Sequence, residues 1–76
     1  MYFAKNEMIE LNDKSKYLII DTAYIDNEAY YKVEKIENEE HTSDFTFITA
    51  KNESGKLYIT NKIPKEIIYK LNEICE

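Results

Sequence analysis

Residues 17–36 read YLIIDTAYIDNEAYYKVEKI, and this stretch decides the fold. Two runs rich in β-branched and aromatic residues, which favour strands, flank the dipeptide Asp26-Asn27. Asp and Asn tolerate the positive φ that a two-residue hairpin turn requires. The stretch therefore predicts two paired antiparallel strands, residues 17–25 and 28–36, joined by a tight turn.

The strand at residues 17–25 is apolar on both faces, which predicts a central position in a curled sheet or small barrel or beneath a helix. The strand at residues 28–36 alternates, so Lys32 and Glu34 are predicted to point to water, with Tyr30 and Ile36 at its ends. The predicted inward set of this strand is Ala29, Tyr31 and Val33. The two predicted faces of the first strand are Leu18, Ile20 and Tyr24 on one side and Tyr17, Ile19, Ala23 and Ile25 on the other.

The flanking segments predict further strands beside this hairpin. Residues 8–11, 44–51 and 56–60 have strand character and are separated by polar loops at 12–16 and 37–43. A four-residue turn at 52–55 contains the only glycine, Gly55, where a left-handed conformation is easiest. Phe45 and Phe47 are predicted to share one face, and Leu57 and Ile59 to point inward. Residues 1–6 fit either an edge strand or a packed arm.

One short helix follows the last strand. Pro64 is well suited to a helix start, because the N–H that proline lacks has no partner there. Ile67, Ile68, Leu71 and Ile74 then recur at helical spacing and predict one apolar stripe. The order of elements predicts a single domain spanning residues 1–76 with a mainly β (β+α) fold. It is a five-stranded antiparallel meander, curled into an SH3-like partly open barrel, with one C-terminal helix.

Charge and composition limit the classes of partner. The 76 residues include ten lysines, no arginine and fifteen carboxylates, giving a net charge of -5. Such a surface repels nucleic acids and phosphate-rich membranes, so the sequence predicts binding to neither. The single cysteine, Cys75, and the absence of a segment resembling a signal peptide predict a cytoplasmic location.

The densest negative charge lies between residues 34 and 44, where five carboxylates accompany one lysine. One interpretation is a solvating loop that protects a strand edge from aggregation. The other is a surface complementary to a basic partner, extended by Asp26 and Glu28 into one negative face. The candidate partner-binding carboxylates are Glu34, Glu37, Glu39, Glu40 and Asp44.

The sequence predicts no enzyme, no metal site and no cofactor. His41, the only histidine, lies among the carboxylates of this acidic segment, but the spacing matches no recognised metal-binding signature. Cys75 falls at the helix C-terminus, where the helix dipole disfavours a thiolate. No Ser–His or Cys–His arrangement and no glycine-rich phosphate loop is present.

Seven tyrosines are many for so short a chain. Most are expected to fill the core, but Tyr30 and Tyr58 are predicted to alternate onto the outer face of the sheet. Exposed tyrosines suit protein interfaces as well as stacking on bases, and the negative charge argues against the latter. Tyr30 and Tyr58 are therefore added to the candidate partner-binding residues.

The pattern SKYLIIDT, EAYYKVE, an acidic loop, DFTFI, GKLYI and a short helix resembles small uncharacterised acidic β-meander proteins of low-GC bacteria and their phages. The resemblance covers roughly residues 8–75 and implies a compact domain that binds another protein. Small acidic phage proteins of this kind include anti-defence inhibitors such as anti-CRISPR proteins.

Three hypotheses follow from the sequence. The first is a non-enzymatic protein-binding module, in its sharper form an inhibitor whose acidic face blocks a basic nucleic-acid-handling enzyme. The alternative is a small structural or regulatory subunit that binds through a strand edge or a tyrosine-rich face, including homodimerisation. The third, a carboxylate hydrolase or metal protein, is not expected.

Overall fold

The computed structural model describes residues 2–75. The chain forms a curled half-barrel sheet of five antiparallel strands in the order β1-β2-β3-β4-β5, followed by one helix, which confirms the predicted meander. The elements are β1 (Met8–Glu10), β2 (Lys16–Ile25), β3 (Glu28–Glu37), β4 (Glu40–Glu53), β5 (Lys56–Thr60) and α1 (Lys65–Ile74).

A two-residue turn joins each of the strands β2, β3 and β4 to the strand that follows it. Asp26 and Asn27 both have positive φ, as the sequence predicted, and this is the requirement of a type I′ hairpin turn. Ser54 and Gly55 form a second such turn, shorter than the four-residue turn predicted at 52–55. The prediction of a polar loop at 37–43 was wrong. The turn consists of Asn38 and Glu39 alone, and β4 already begins at Glu40.

A β-bulge at Ile20 divides β2 into two halves with opposite side-chain phase. Ile19 pairs with Val33, whereas the next register pair joins Asp21 to Lys32, so Ile20 is the extra residue. Ile19 consequently points to one face of the sheet, and Ala23 and Ile25 to the other. The sequence prediction that these three side chains share a face was therefore wrong.

Each face of the sheet carries its own core. We call the first the arm face, because Phe3 of the N-terminal arm packs on it, and the second the helix face, because α1 covers it. The buried residues of the arm face are Ile9, Ile19, Ala29, Tyr31, Val33, Ile48 and Ala50. Those of the helix face are Ala23, Ile25, Tyr30, Leu71 and Cys75.

Residues 2–6 form an arm rather than an edge strand, and Met1, which the prediction included, lies outside the described residues. The ring of Phe3 packs edge-on against Tyr31, with ring centroids 5.1 Å apart, and the N–H of Tyr2 donates to the Tyr31 hydroxyl at 3.0 Å. The N–H of Asn6 also bonds the carbonyl of Ile19 at 2.7 Å. These contacts hold the arm across the arm face.

Helix α1 packs through a stripe that differs from the predicted one at its end. Ile67, Ile68 and Leu71 face the sheet as expected, but Ile74 is 55% exposed and Cys75 is buried instead. The N–H of Cys75 donates the last helical hydrogen bond, to the carbonyl of Leu71, and the backbone of Cys75 then leaves the helical conformation with φ -108° and ψ 63°. Lys32, predicted to point to water, donates from Nζ to the carbonyl of Cys75 at 3.2 Å.

Candidate functional site

The end of the β3–β4 hairpin concentrates negative charge. We call residues 37–44 the acidic hairpin; its exposed carboxylates are Glu37, Glu39, Glu40 and Asp44, as the sequence predicted. Glu37 and Glu40 are direct cross-strand partners on either side of the turn. Between them Glu39 has φ +62°, a left-handed conformation in which glycine or asparagine is far more common.

Glu34 does not belong to this exposed set, so its predicted exposure was wrong. It is 5% exposed, and both of its carboxylate oxygens have partners from the hairpin. Oε1 lies 2.7 Å from Nδ1 of His41, and Oε2 accepts from the N–H of Ser43 at 2.9 Å. Glu34 therefore holds the first residues of β4 in place, across a bulge in β4 where residues 42–44 lie opposite Lys35 alone. The two-residue periodicity of the strand did not predict the contacts of Glu34 with His41 and Ser43.

The contact between Glu34 and His41 makes the hairpin sensitive to acid. The hydrogen bond with His41 holds the pKa of Glu34 below its ordinary value, helped by the Ser43 N–H, although burial acts in the opposite direction. Because the folded-state pKa is depressed, ionised Glu34 contributes stability above the unfolded value near 4.5, and this contribution is lost as the pH falls through the folded pKa.

We therefore expect Glu34→Gln to lower the free energy of unfolding near neutral pH and to matter less in acid. The measurement is urea unfolding of both proteins at about pH 7 and about pH 3, with the difference taken at each pH so that other carboxylates cancel. A difference that stays constant or grows toward acid would contradict the role of ionised Glu34.

Lysines flank the acidic hairpin on the side of the β1–β2 loop. The Nζ of Lys35 lies 3.3 Å from Oε1 of Glu37. Lys14 and Lys16 line the same shallow depression as Glu37 and Glu39. The acidic hairpin therefore has one flank of mixed charge, and the negative surface is narrower than the sequence suggested.

Asp26 and Glu28 do not extend this surface. Glu28 begins β3 and Glu37 ends it, which places them roughly 30 Å apart at the rise of an extended strand. The carboxylate of Glu28 is also occupied, by Nζ of Lys51 at 3.2 Å and by the hydroxyl of Tyr30 at 3.1 Å. The prediction of one continuous negative face was wrong because β3 separates its two parts.

The two candidate tyrosines have different environments. Tyr30 is 5% exposed and lies in the helix-face core, so its predicted exposure was wrong; α1 covers the surface on which alternation placed it. Tyr58 is 53% exposed on β5, as predicted. Tyr2, Tyr24 and Tyr69 are also largely exposed. Tyr58 is thus the one of the two candidates that a partner can reach.

Within residues 2–75, no three His, Cys, Asp or Glu side chains lie close enough together to hold a metal ion. Burial raises the pKa of the Cys75 thiol, and the nearby charge of Asp21 acts in the same direction. This environment makes the thiolate a minor form of Cys75 and disfavours nucleophilic chemistry there.

Comparisons of the chain with protein-family models, curated proteins and solved structures gave no match. In the part of the chain that the structure describes, no helix has the length and apolar character needed to cross a membrane.

Proposed function

We propose that the protein is a non-enzymatic binding module that presents the acidic hairpin to a basic surface of a protein partner. The observation that carries the proposal is the arrangement of Glu37, Glu39 and Glu40. Three carboxylates lie at or beside a two-residue turn, and Glu34 bonds His41 and Ser43 in the strand that follows the turn. Opposite potentials on a partner would accelerate encounter and select the partner by charge.

This arrangement lowers local stability. Like charges placed directly opposite on neighbouring strands are destabilising, and Glu37 faces Glu40 in this way. A non-glycine residue in the left-handed region costs about 1–2 kcal/mol, and Glu39 occupies that region. Features that disfavour the fold locally cluster at functional sites, where the rest of the structure maintains them. Lys14 and Ser54 share the left-handed conformation, so the direct opposition of Glu37 and Glu40 is what favours a binding surface over a loop that is merely solvated.

In its sharper form the proposal concerns a basic, nucleic-acid-handling enzyme as the partner. A groove that binds phosphates is lined with cations, and a hairpin end bearing four exposed carboxylates is complementary to it. Occupation of the groove by the hairpin would exclude the nucleic acid, which is inhibition by charge mimicry. The resemblance to small acidic phage proteins supports this class of partner, an anti-defence inhibitor included.

The test compares two variants of equal net charge. The hairpin variant carries Glu37→Gln, Glu39→Gln, Glu40→Gln and Asp44→Asn. The control variant neutralises four exposed carboxylates elsewhere, with Asp26→Asn, Glu53→Gln, Glu66→Gln and Glu73→Gln. Tagged wild type and both variants are used to capture partners from host lysate at roughly 0.1 M and 0.5 M salt, concentrations that differ strongly in screening.

We expect wild type and the control variant to capture the same basic enzyme at the lower salt concentration, and the hairpin variant to lose it. Nucleic acid added to the captured complex should displace the protein. Equal capture by the two variants, or capture that high salt does not weaken, would contradict binding through the acidic hairpin.

Glu39→Gly is expected to stabilise the fold and to weaken partner binding. Glycine adopts φ +62° without strain, so we expect a gain of about 0.5–1 kcal/mol and a rise in Tm of several degrees. Glu39→Gln is the matched control, since it removes the charge but keeps the strained backbone. Thermal unfolding of the three proteins measures the effect, and a Glu39→Gly protein less stable than Glu39→Gln would contradict the strain at this position.

A further inference from the structure

The outer edge of β5 is an unpaired strand edge at one end of the sheet. On its other side β5 pairs with β4, in a register that joins Thr49 to Thr60 and Glu53 to Lys56. The five residues form no bulge and include one charged side chain, Lys56. Leu57 and Tyr58 are 42% and 53% exposed. Such an edge is a template for pairing with another strand.

The other strand edges within residues 2–75 are short, charged or interrupted by a bulge. The second half of β2 has no strand beside it on the side of β1, but it follows the bulge at Ile20 and carries Asp21. β1 is three residues long and ends in Glu10. The first half of β4 has no strand beside it where β5 stops, but its pairing with β3 is interrupted by a bulge and it carries Glu40 and Asp44. Short length, bulges and charge are the features that prevent edge-to-edge association. β5 has the fewest of them.

The alternation of hydrogen bonds along β5 shows which of its backbone N–H and C=O groups face away from β4. The turn at Ser54-Gly55 is closed by the pair Glu53 and Lys56, so the N–H of Lys56 faces β4. Alternation along an antiparallel ladder then directs Tyr58 and Thr60 toward β4 as well. The N–H and C=O groups of Leu57 and Ile59 consequently point away from the sheet, without a strand to bond them.

We propose that β5 pairs with β5 of a second copy of this chain, antiparallel about a two-fold axis at Tyr58. In this register Leu57 lies opposite Ile59 of the second copy, and their outward N–H and C=O groups form a hydrogen-bonded pair on each side of the axis. Tyr58 lies opposite its own counterpart in a non-hydrogen-bonded pair, where side chains approach most closely. Lys56 lies opposite a threonine, so the register brings no like charges face to face.

The surroundings of β5 also suit a second strand. A shallow depression of about 400 Å³ separates β5 from the β1–β2 loop. Its apolar lining is Leu11, Leu57, Tyr58 and Ile59, and its polar lining is Glu10, Asn12 and Asp13. Behind it a smaller depression, bordered by Tyr17 and Ile48, reaches the arm-face core. The apolar side chains of an added strand would cover this opening. Five paired residues bury little area, so we expect a weak dimer.

The response to salt concentration distinguishes dimerisation through β5 from the binding of a partner to the acidic hairpin. Each copy carries a net charge of -5, so two copies repel each other and screening strengthens the dimer. Binding of a basic partner to the acidic hairpin is weakened by the same change. Loss of either interaction therefore leaves the other testable.

The experiment measures self-association by sedimentation equilibrium from about 5 to 500 µM, with amide hydrogen exchange at both ends of that range. We expect a concentration-dependent dimer in which the amides of Leu57 and Ile59 gain protection, while that of Tyr58 is protected throughout. Tyr58→Lys places two ammonium groups opposite each other and should raise the dimer Kd at least about tenfold. Leu57→Pro removes an outward N–H and should have the same effect.

Tyr24→Lys is the matched control, because Tyr24 is 56% exposed but lies in the second half of β2, which pairs with β3 and not with β5. It should leave the dimer Kd unchanged, and near-ultraviolet circular dichroism confirms that each variant is folded. A chain that stays monomeric throughout the range overturns the proposal. A dimer that Tyr58→Lys and Leu57→Pro do not weaken also overturns it, since another surface then holds the two copies together.

Discussion

Tyr31→Ala should reduce the free energy of unfolding by about 3–5 kcal/mol, the usual cost of removing a buried aromatic ring. A domain of 76 residues has a total stability of roughly 4–11 kcal/mol, so the variant retains little of it. Tyr31 is fully buried in the centre of the arm face, with Ile48 opposite it on β4. Its ring also anchors the N-terminal arm through Phe3. The Tm should fall by roughly 12–40 °C.

Tyr31→Phe isolates the hydroxyl group from the ring. It removes the hydrogen bond from the N–H of Tyr2 and should cost about 0.5–1.5 kcal/mol. Urea unfolding of wild type and both variants gives the two differences. If the alanine and phenylalanine variants were equally destabilised, the arm contact and not the packed ring would dominate, and the description of the arm-face core would be wrong.

Leu71→Ala is expected to have the second-largest effect, a loss of about 2–5 kcal/mol. Leu71 is fully buried and joins α1 to the helix face beside Tyr30. The cavity that the substitution leaves lies between the helix and the sheet and cannot be filled by its neighbours without moving the helix. Release of the helix would expose Cys75, which is 2% exposed in the fold.

Two measurements check this expectation. Urea unfolding gives the loss of stability, and the rate at which a thiol reagent modifies Cys75 reports release of the helix before global unfolding. Ile74→Ala is the control, since Ile74 is 55% exposed and its truncation should change stability by less than about 0.5 kcal/mol. An Ile74 variant as unstable as the Leu71 variant would mean that the helix packs through a different face.

The contrast between Leu71 and Ile74 shows how much of the packing of α1 the helical spacing of apolar residues predicted. Helical spacing identified the apolar stripe correctly up to Leu71. Ile74 and Cys75 follow Leu71 by three and four residues, and both spacings fit the same stripe. At the C-terminus the chain leaves the helix, and Cys75 turns inward while Lys32 bonds its carbonyl. No local pattern distinguishes Ile74 from Cys75; the contact with β3 does.

The candidate site likewise contains features that the sequence predicted and one that it did not. The exposure of Glu37, Glu39, Glu40 and Asp44 followed from charge density alone. The burial of Glu34 did not, since its partners are seven and nine residues along the chain and approach it across the hairpin. Whether any of these carboxylates contacts a partner stays a prediction, and the paired neutralisation variants test it.

The sequence by itself determined the number of strands, their antiparallel order and the C-terminal helix. Those features depend on side-chain periodicity and turn chemistry, which act over a few residues; Asp26-Asn27 and Gly55 are the clearest cases. The tertiary structure decided which side chains are buried. The bulge at Ile20 changes the phase of β2, and α1 covers Tyr30. Pairing of β3 with β4 forces Glu39 into a left-handed turn that its own preferences disfavour. Each of these depends on contacts between distant segments, which local preferences do not encode.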